Sequence, residues 1–240
     1  MAQRGRLVAV EGGSASGKTS LVRAAAHTFG WRPLPEAFDR LDPAPSLGFA
    51  SGRELLQLEV TLLAEETRRF QEAQRLCAAG ATVLADTGFL GPVTYTLGLA
   101  ELGLAPATVA AELLTRARFW VGTGRLGLPD LTVYLRTTAR ERTARSRAGA
   151  RSHPPELFRR HEAVGRLERR VFEREMPEVC PVGVRLLRAD RPTAALVRRL
   201  GAVVGATPLR SASRAETLAL LARLARPVRG IRRSAVGPNR

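Results

Sequence analysis

Residues 7–20 read LVAVEGGSASGKTS, and the order of those letters decides the architecture. Leu7-Val8-Ala9-Val10 is a short apolar run, as expected of a strand buried on both faces in a parallel sheet. Leu21 to Ala26, LVRAAA, reads as the opening turns of a helix. Between them Gly12, four residues and then Gly17-Lys18-Thr19 match the spacing G-x-x-x-x-G-K-S/T. Glycines let the backbone curl until successive N–H groups converge on an anion, and the helix that follows adds its positive end. We therefore expect Gly12, Gly13, Ser14, Ala15, Ser16, Gly17, Lys18, Thr19 and Ser20 to line a phosphate site. A glycine-rich turn without a ligand is the alternative, and it leaves the lysine unexplained.

That lysine is singular. Of 38 basic residues, 37 are arginine, and Lys18 is the one exception. On a solvated surface the two side chains mostly do the same job. A compact ammonium that main-chain groups can enclose against a phosphate has a different shape from the planar guanidinium fork. Lys18 is expected on the β and γ phosphates of a nucleoside triphosphate, and the Thr19 hydroxyl on Mg2+.

With 240 residues, 45% of them hydrophobic, the chain can bury a proper core. No apolar run approaches the length of a membrane span, and the start MAQRGR leads into only four apolar residues, so a soluble, cytoplasmic protein is expected. Cys77 and Cys180 lack metal-type spacing and read as buried, reduced thiols. The net charge of +16 is unevenly placed. Residues 1–135 carry 13 basic and 13 acidic side chains, residues 136–200 carry 17 and 8, and residues 201–240 carry 8 and 1. Such asymmetry suggests two anion-handling regions rather than a uniformly basic surface.

Further along, GWRPLPEAF supplies a short second strand ending at Pro35-Glu36, and Glu54 to Ala79 repeats apolar residues at helical spacing. ATVLAD is a third strand, LTVYLR (Leu131–Arg136) a fourth and VGVRLL a fifth, with helices at Pro92–Leu102, Pro106–Val121, Thr138–Arg147, Glu156–Glu175 and from Thr193. Pro177 is expected to end the helix before it. This pattern predicts a three-layer α/β fold, a five-stranded parallel sheet with helices on both faces. Residues 1–200 form the expected domain. Residues 201–240 form a basic extension, with one helix at Ala215–Ala225 and then a disordered tail.

Ligands of such sheets bind outside the carboxyl ends of the strands. Asp86 ends the third strand, where an acid supports Mg2+, or alternatively caps the next helix. Glu36 stands within reach of an acceptor hydroxyl as a base, or is a surface turn carboxylate. Arg142, Arg145, Arg147 and Arg151 form a spaced cluster suited to close over a transferring phosphoryl group, though helical spacing prevents one face from presenting all of them equally. His27, His153 and His161 make no metal constellation, and His161 lies on an apolar stripe.

These residues resemble the P-loop nucleoside and nucleotide kinases, particularly the thymidylate kinase and deoxynucleoside kinase group. LVAVEGGSASGKTSLV resembles their opening strand and loop, and GGSASGKT is equally like uridine kinases. Pro35-Glu36, LPDLTVYL (Leu128–Leu135) and LLRADRPTAALVRRL are similar to the second-strand end, the strand before the lid, and the last strand and helix. The resemblance implies ATP and Mg2+, a lid at about Arg140 to His153, a loop of Ala189, Asp190, Arg191 and Pro192 near adenine, and phosphoryl transfer to a nucleoside, a nucleotide or a similar small molecule. It spans residues 6 to 200. Two positions depart from the pattern: Thr87-Gly88 follows Asp86 where the group has arginine, and Arg136 stands where an acid often ends the strand. Arg53, Arg68, Arg69 and Arg118 are the candidates to replace the missing arginine.

Lys18, Glu36, Asp86, Arg142 and Arg145 are thus the expected catalytic set, with Arg147 on the triphosphate. The competing readings are a kinase of nucleic-acid ends, with the basic tail on a phosphodiester backbone, and an NTP-binding regulatory module that transfers nothing. Nucleic acid is the less favoured partner, since the chain after Phe172 holds no aromatic residue on which bases could stack. A homodimer is compatible with the reading.

Overall fold

The computed structural model describes residues 4–45, 48–148, 155–181 and 183–226. Its centre is a five-stranded sheet in the order β2-β3-β1-β4-β5. The strands are β1 (Leu7–Glu11), β2 (Arg32–Leu34), β3 (Val83–Asp86), β4 (Leu131–Arg136) and β5 (Val184–Arg188), and every pair is parallel. In β1 and β3 every residue is buried, which is why they read as near-continuous apolar runs. β2 is the short edge strand. Its Arg32 N–H bonds the Thr82 carbonyl at 2.9 Å, so the donor that Pro33 lacks is one the pairing does not use.

The pleat sorts β1 between two layers. Val8 and Val10, with Leu84 of β3 and Val133 of β4, pack on Leu21, Val22 and Ala25 of α1 (Lys18–Phe29) and on Leu196, Val197 and Leu200 of α8 (Thr193–Ala206). Leu7 and Ala9, with Val83 and Ala85, pack on Ala73 and Cys77 of α2 (Gly52–Ala78). Ser51 caps α2 by accepting the Glu54 N–H at 3.2 Å, so the helix begins just before the Glu54 start expected from apolar spacing.

The largest cluster lies on the α2 side. It joins Leu63 of α2 with residues of α3 (Leu90–Glu101) and α4 (Ala107–Gly122), and with Leu167, Val171 and Phe172 from α6 (Pro155–Arg170) and the turn after it. α5 (Ala139–Ala148) lies between β4 and α6 in the chain. The helix expected to run to Glu175 and stop at Pro177 behaves differently. α6 passes into a π turn, Val171–Glu175, and then into α7 (Met176–Val179) with Pro177 inside its first turn. A proline ring collides with the carbonyl four residues back in an α-helix, and the wider turn just ahead relieves that contact.

α9 (Arg214–Leu224) opens on a capping box of Ser213 and Glu216 and adds Leu220, Leu221 and Leu224 to the large cluster. The described part of the basic C-terminal segment is therefore packed on the body. Residues 227–240 lie outside the described residues. Cys77 and Cys180 are free and buried, as expected. Among the described residues no helix is long and apolar enough to cross a membrane.

Candidate active site

The loop from Gly12 to Gly17 leaves the end of β1 and enters α1. Gly12 has φ 147° and Gly17 φ 96°, conformations that suit glycine, and Ala15, between them, has φ 59°. A methyl at Gly12 would also sit 2.9 Å from the Leu135 carbonyl oxygen. α1 begins with no side-chain cap and no acid in its first turn, so its positive end faces the loop uncompensated. Lys18 Nζ donates to the carbonyls of Gly12 at 2.8 Å and Gly13 at 3.3 Å. Ser16 is buried, and its Oγ has no hydrogen-bond partner. Thr19 and Ser20 complete the first turn of α1.

α5 brings two of the expected arginines onto this loop. Arg142 is 5% exposed and donates to the Thr137 carbonyl at 3.0 Å. Its guanidinium carbon lies 3.6 Å from where a Gly13 methyl would stand. Arg145 Nη1 donates to the Ser16 carbonyl at 2.7 Å while Nη2 donates to the Ala189 carbonyl, tying the loop to the β5–α8 turn. Asp190, Arg191 and Pro192 continue that turn, all exposed, with Pro192 at the N-cap of α8. Arg147 lies on α5 with its side chain outside what the structure describes, and Arg151, His153 and the rest of residues 149–153 of the expected lid lie outside the described residues.

Carboxyls gather at the strand ends. Asp86, beside Val10 in the β1–β3 register, is 2% exposed, and its Oδ1 has no hydrogen-bond partner. Glu36 follows β2 and is half-buried. Loss of hydration raises its pKa, the Lys18 ammonium opposes the rise, and Asp86 adds to it. The sequence reading missed Glu11. It shares its face of β1 with Leu7 and Ala9, pointing toward α2, and is 5% exposed. Burial holds its carboxyl well above the usual range against the pull of Lys18, with Glu66 and Glu168 pushing it further. Its Oε1 accepts the Gly88 N–H at 2.8 Å. Glu66 of α2, also missed, is pushed up to about 7 by burial despite its ion pair with Arg69. The rule that singled out Glu36 and Asp86, an acid closing a buried strand, would have found Glu11 too.

Of the four arginines offered as replacements after Asp86, the structure brings Arg69 to the place. It is 1% exposed, bonds Glu66, and gives Nη2 to the carbonyls of Leu34 (3.3 Å), Asp86 (2.9 Å) and Thr87 (3.3 Å). It thereby pins the ends of β2 and β3 together. Arg68 is 70% exposed and pairs with Glu65, Arg118 donates to the Leu221 carbonyl, and Arg53 is exposed. Thr87 itself is held at φ 62°, an unusual conformation for a β-branched residue and one that tends to mark functional turns. A pocket beneath α2 opens along Leu34, Glu66, Arg69, Thr87, Gly88 and Phe89.

The donor set suits Mg2+. No group of three or more metal-ligating side chains occurs among the described residues. A cation that keeps most of its waters and takes one hydroxyl, one carboxylate and substrate phosphates does not need one. Thr19 and the unpartnered Asp86 are the residues present for it.

No protein-family model and no curated protein sequence matches the chain. Solved structures do. A deoxyadenosine kinase from M. mycoides with bound dATP superposes with a TM-score of 0.66 at 13% identity, covering 84% of this chain and 100% of the other. The same kinase with dCMP and a flexible dCDP gives 0.64 at 13%, covering 83% and 98%. A thymidylate kinase from Candida albicans gives 0.62 at 16%, covering 84% and 92%. The resemblance drawn from the loop, the strand ends and the last helix thus extends to three dimensions: the chain has the fold of these nucleoside and nucleotide kinases.

Proposed function

We propose that the chain is an ATP- and Mg2+-dependent kinase that transfers a phosphoryl group to a nucleoside or nucleoside monophosphate in the cytoplasm. The observation that carries this reading is the convergence of Lys18, Arg142 and Arg145 on one glycine loop, with an unpartnered buried carboxylate oxygen of Asp86 at the adjoining strand end. Lys18 exchanges the carbonyls of Gly12 and Gly13 for phosphate oxygens. Loop N–H groups and the start of α1 take the rest of that charge. Arg142 and Arg145 supply positive charge where the equatorial oxygens of the transferring group gather it, in a site where donors are fixed before reaction. Thr19 and Asp86 would hold Mg2+, which when bound neutralises phosphate charge. Glu36, made more basic by lost hydration, accepts the proton of an acceptor hydroxyl; for a phosphate acceptor it orients rather than deprotonates.

The test is transfer of label from γ-labelled ATP to pooled nucleosides, nucleotides, sugars and oligonucleotide ends. One labelled small-molecule product is expected, lost in Lys18→Ala and equally in Lys18→Arg, since the wider fork does not fit the ammonium's place. Undiminished transfer in Lys18→Ala would end this reading.

A further inference from the structure

The two helical layers differ in charge. On one side of the sheet, α2, α3 and α4 carry six arginines and seven glutamates. On the other side lie α1 and α8, and neither helix contains an acid. The two stretches that carry them, residues 12–34 and 184–206, hold eight basic side chains and one acidic one, Asp190. An arginine-rich composition would load both layers alike, so the imbalance belongs to this face.

Arg23 and His27 stand four residues apart on the exposed side of α1, and Arg198 and Arg199 on the exposed side of α8. The side chains of Arg23, Arg198 and Arg199 have no ion-pair or hydrogen-bond partner among the described residues. On the α2 side, by contrast, Arg40 pairs with Glu65 and Glu72, Arg68 with Glu65, Arg69 with Glu66 and Arg116 with Glu112.

The same face carries aromatic surface. Phe29, the last residue of α1, is 39% exposed, and Trp31 lies beside it with ring centroids 4.6 Å apart. The Phe29 ring rests on α8 at Gly201, where an added methyl would collide with it. Arg198 is three residues before Gly201, one helical turn from that ring. The other exposed positions of α8 are Thr193, Ala194, Ala202, Gly205 and Ala206, which leave the surface low between the cations and the ring. The sequence holds no aromatic residue after Phe172, and the fold supplies its late arginines with rings from the first 31 residues.

We propose that the α1–α8 face binds single-stranded nucleic acid, with Arg23, Arg198 and Arg199 on phosphates and an unpaired base against the Phe29 ring. Phosphates offer the negative charge that these guanidiniums lack, and any base offers a π face to an exposed ring. A duplex keeps its bases stacked on one another and out of reach of that ring. A lipid surface is the poorer match, because an interfacial helix buries a face of long apolar side chains, and here one exposed ring stands among alanine and glycine. The face lies across the sheet from α2, so the bound strand is a partner distinct from the phosphoryl acceptor.

The full chain is titrated, without ATP, into fluorescein-labelled oligo(dT) and oligo(U) of about 20 nucleotides, and anisotropy is read at several salt concentrations. Binding is expected, falling steeply with salt and weaker for a duplex of the same length. Arg198→Gln with Arg199→Gln should weaken it about 10-fold and reduce the slope of log affinity against log salt by about 1.4. Phe29→Ala should weaken it about 5-fold or more with the slope unchanged, while Phe29→Tyr, which keeps the ring, should bind as the parent does. Arg75→Gln with Arg125→Gln removes the same charge from exposed positions of α2 and the turn after α4, and should change affinity by less than about 2-fold. Equal weakening by the two arginine pairs would assign binding to net charge and overturn the proposal. So would the absence of binding, an unmoved Phe29→Ala, a duplex bound as tightly as a single strand, or phosphatidylserine vesicles bound where the oligonucleotides are not. With ATP absent throughout, each of these results leaves the kinase reading standing.

Discussion

Glu59 carries a carboxyl where the helix stripe calls for a leucine. It lies on α2 between Leu55 and Leu63, is 2% exposed, and its Oε2 has no hydrogen-bond partner. Burial alone pushes its pKa up to about 8, and Tyr95 of α3, with Arg160 of α6 beyond, is the titratable neighbour that senses it. An unfolded glutamate would release its proton near 4.5. Between those values the folded chain holds a proton that the unfolded chain does not, so stability is full below the lower value and falls as pH rises to the upper one. The slope contributed by one such proton is about 1.4 kcal/mol per pH unit. Glu59→Gln, neutral throughout, removes that contribution. Its melting temperature is expected to gain on the parent progressively from pH 5 to 8, and no further above 8. A constant offset across that range would assign the effect to packing rather than to the proton. Glu11 shows the same logic inside the site. It follows four apolar letters and went unread in the sequence, and only the pleat reveals that it turns toward Glu66.

Between elements, α3 and α6 meet tightly at Gly98. A methyl there would meet Val164 Cγ1 at 2.9 Å and Cγ2 at 3.0 Å. Two effects oppose each other in Gly98→Ala. Helix propensity favours alanine by about 1 kcal/mol, while overfilling a tight contact costs about 1–3 kcal/mol. Val164 is 1% exposed and branched, so it cannot swing aside, and the net expectation is loss of stability in urea unfolding. Because both changes act on one contact, Gly98→Ala with Val164→Ala should cost less than the two single changes summed. Additive values would show that the helices separate freely. The elements themselves were legible where one pattern dominated: β1 as an apolar run, β4 by its alternation and β-branched residues, α2 as a stripe with its carboxyls hidden among leucines. Junctions were harder to read. Pro177 signals a helix end by its missing N–H, yet a π turn carries the chain past it. The site was legible in its loop, whose spacing is backbone chemistry. It was hidden where long-range pairing decides, as with Arg69, which reaches the ends of two strands from a helix between them.

Across the whole molecule, the last described helix decides where the folded body ends. Residues 201–240 carry 8 basic side chains and 1 acidic one, and charge describes the surface, whereas α9 faces inward with Leu220 and Leu221 fully buried and Leu224 nearly so. Arg118 of α4 donates to the Leu221 carbonyl at 3.2 Å, and Ser211, just before the helix, donates to Asp130, which also accepts the Leu7 N–H at 2.8 Å. The segment is thus joined to the first strand of the sheet as well as to the helical layer. Burying one leucine contributes about 1.5–3 kcal/mol, so three of them approach the whole net stability of an ordinary domain, about 5–15 kcal/mol. Leu220→Ala is expected to lower stability by about 2–5 kcal/mol, moving the urea midpoint down without changing the slope. Removal of residues 214–240 should leave a chain that no longer unfolds cooperatively. If that shortened chain kept the parent's midpoint, α9 would be an ornament on the fold and the leucine contacts would count for little. Leu220 packs in the helical layer with α4 and not on the glycine loop, so in the proposed kinase reaction phosphoryl transfer by Leu220→Ala should fall only as the folded fraction falls. Activity per folded molecule should then match the parent at low urea.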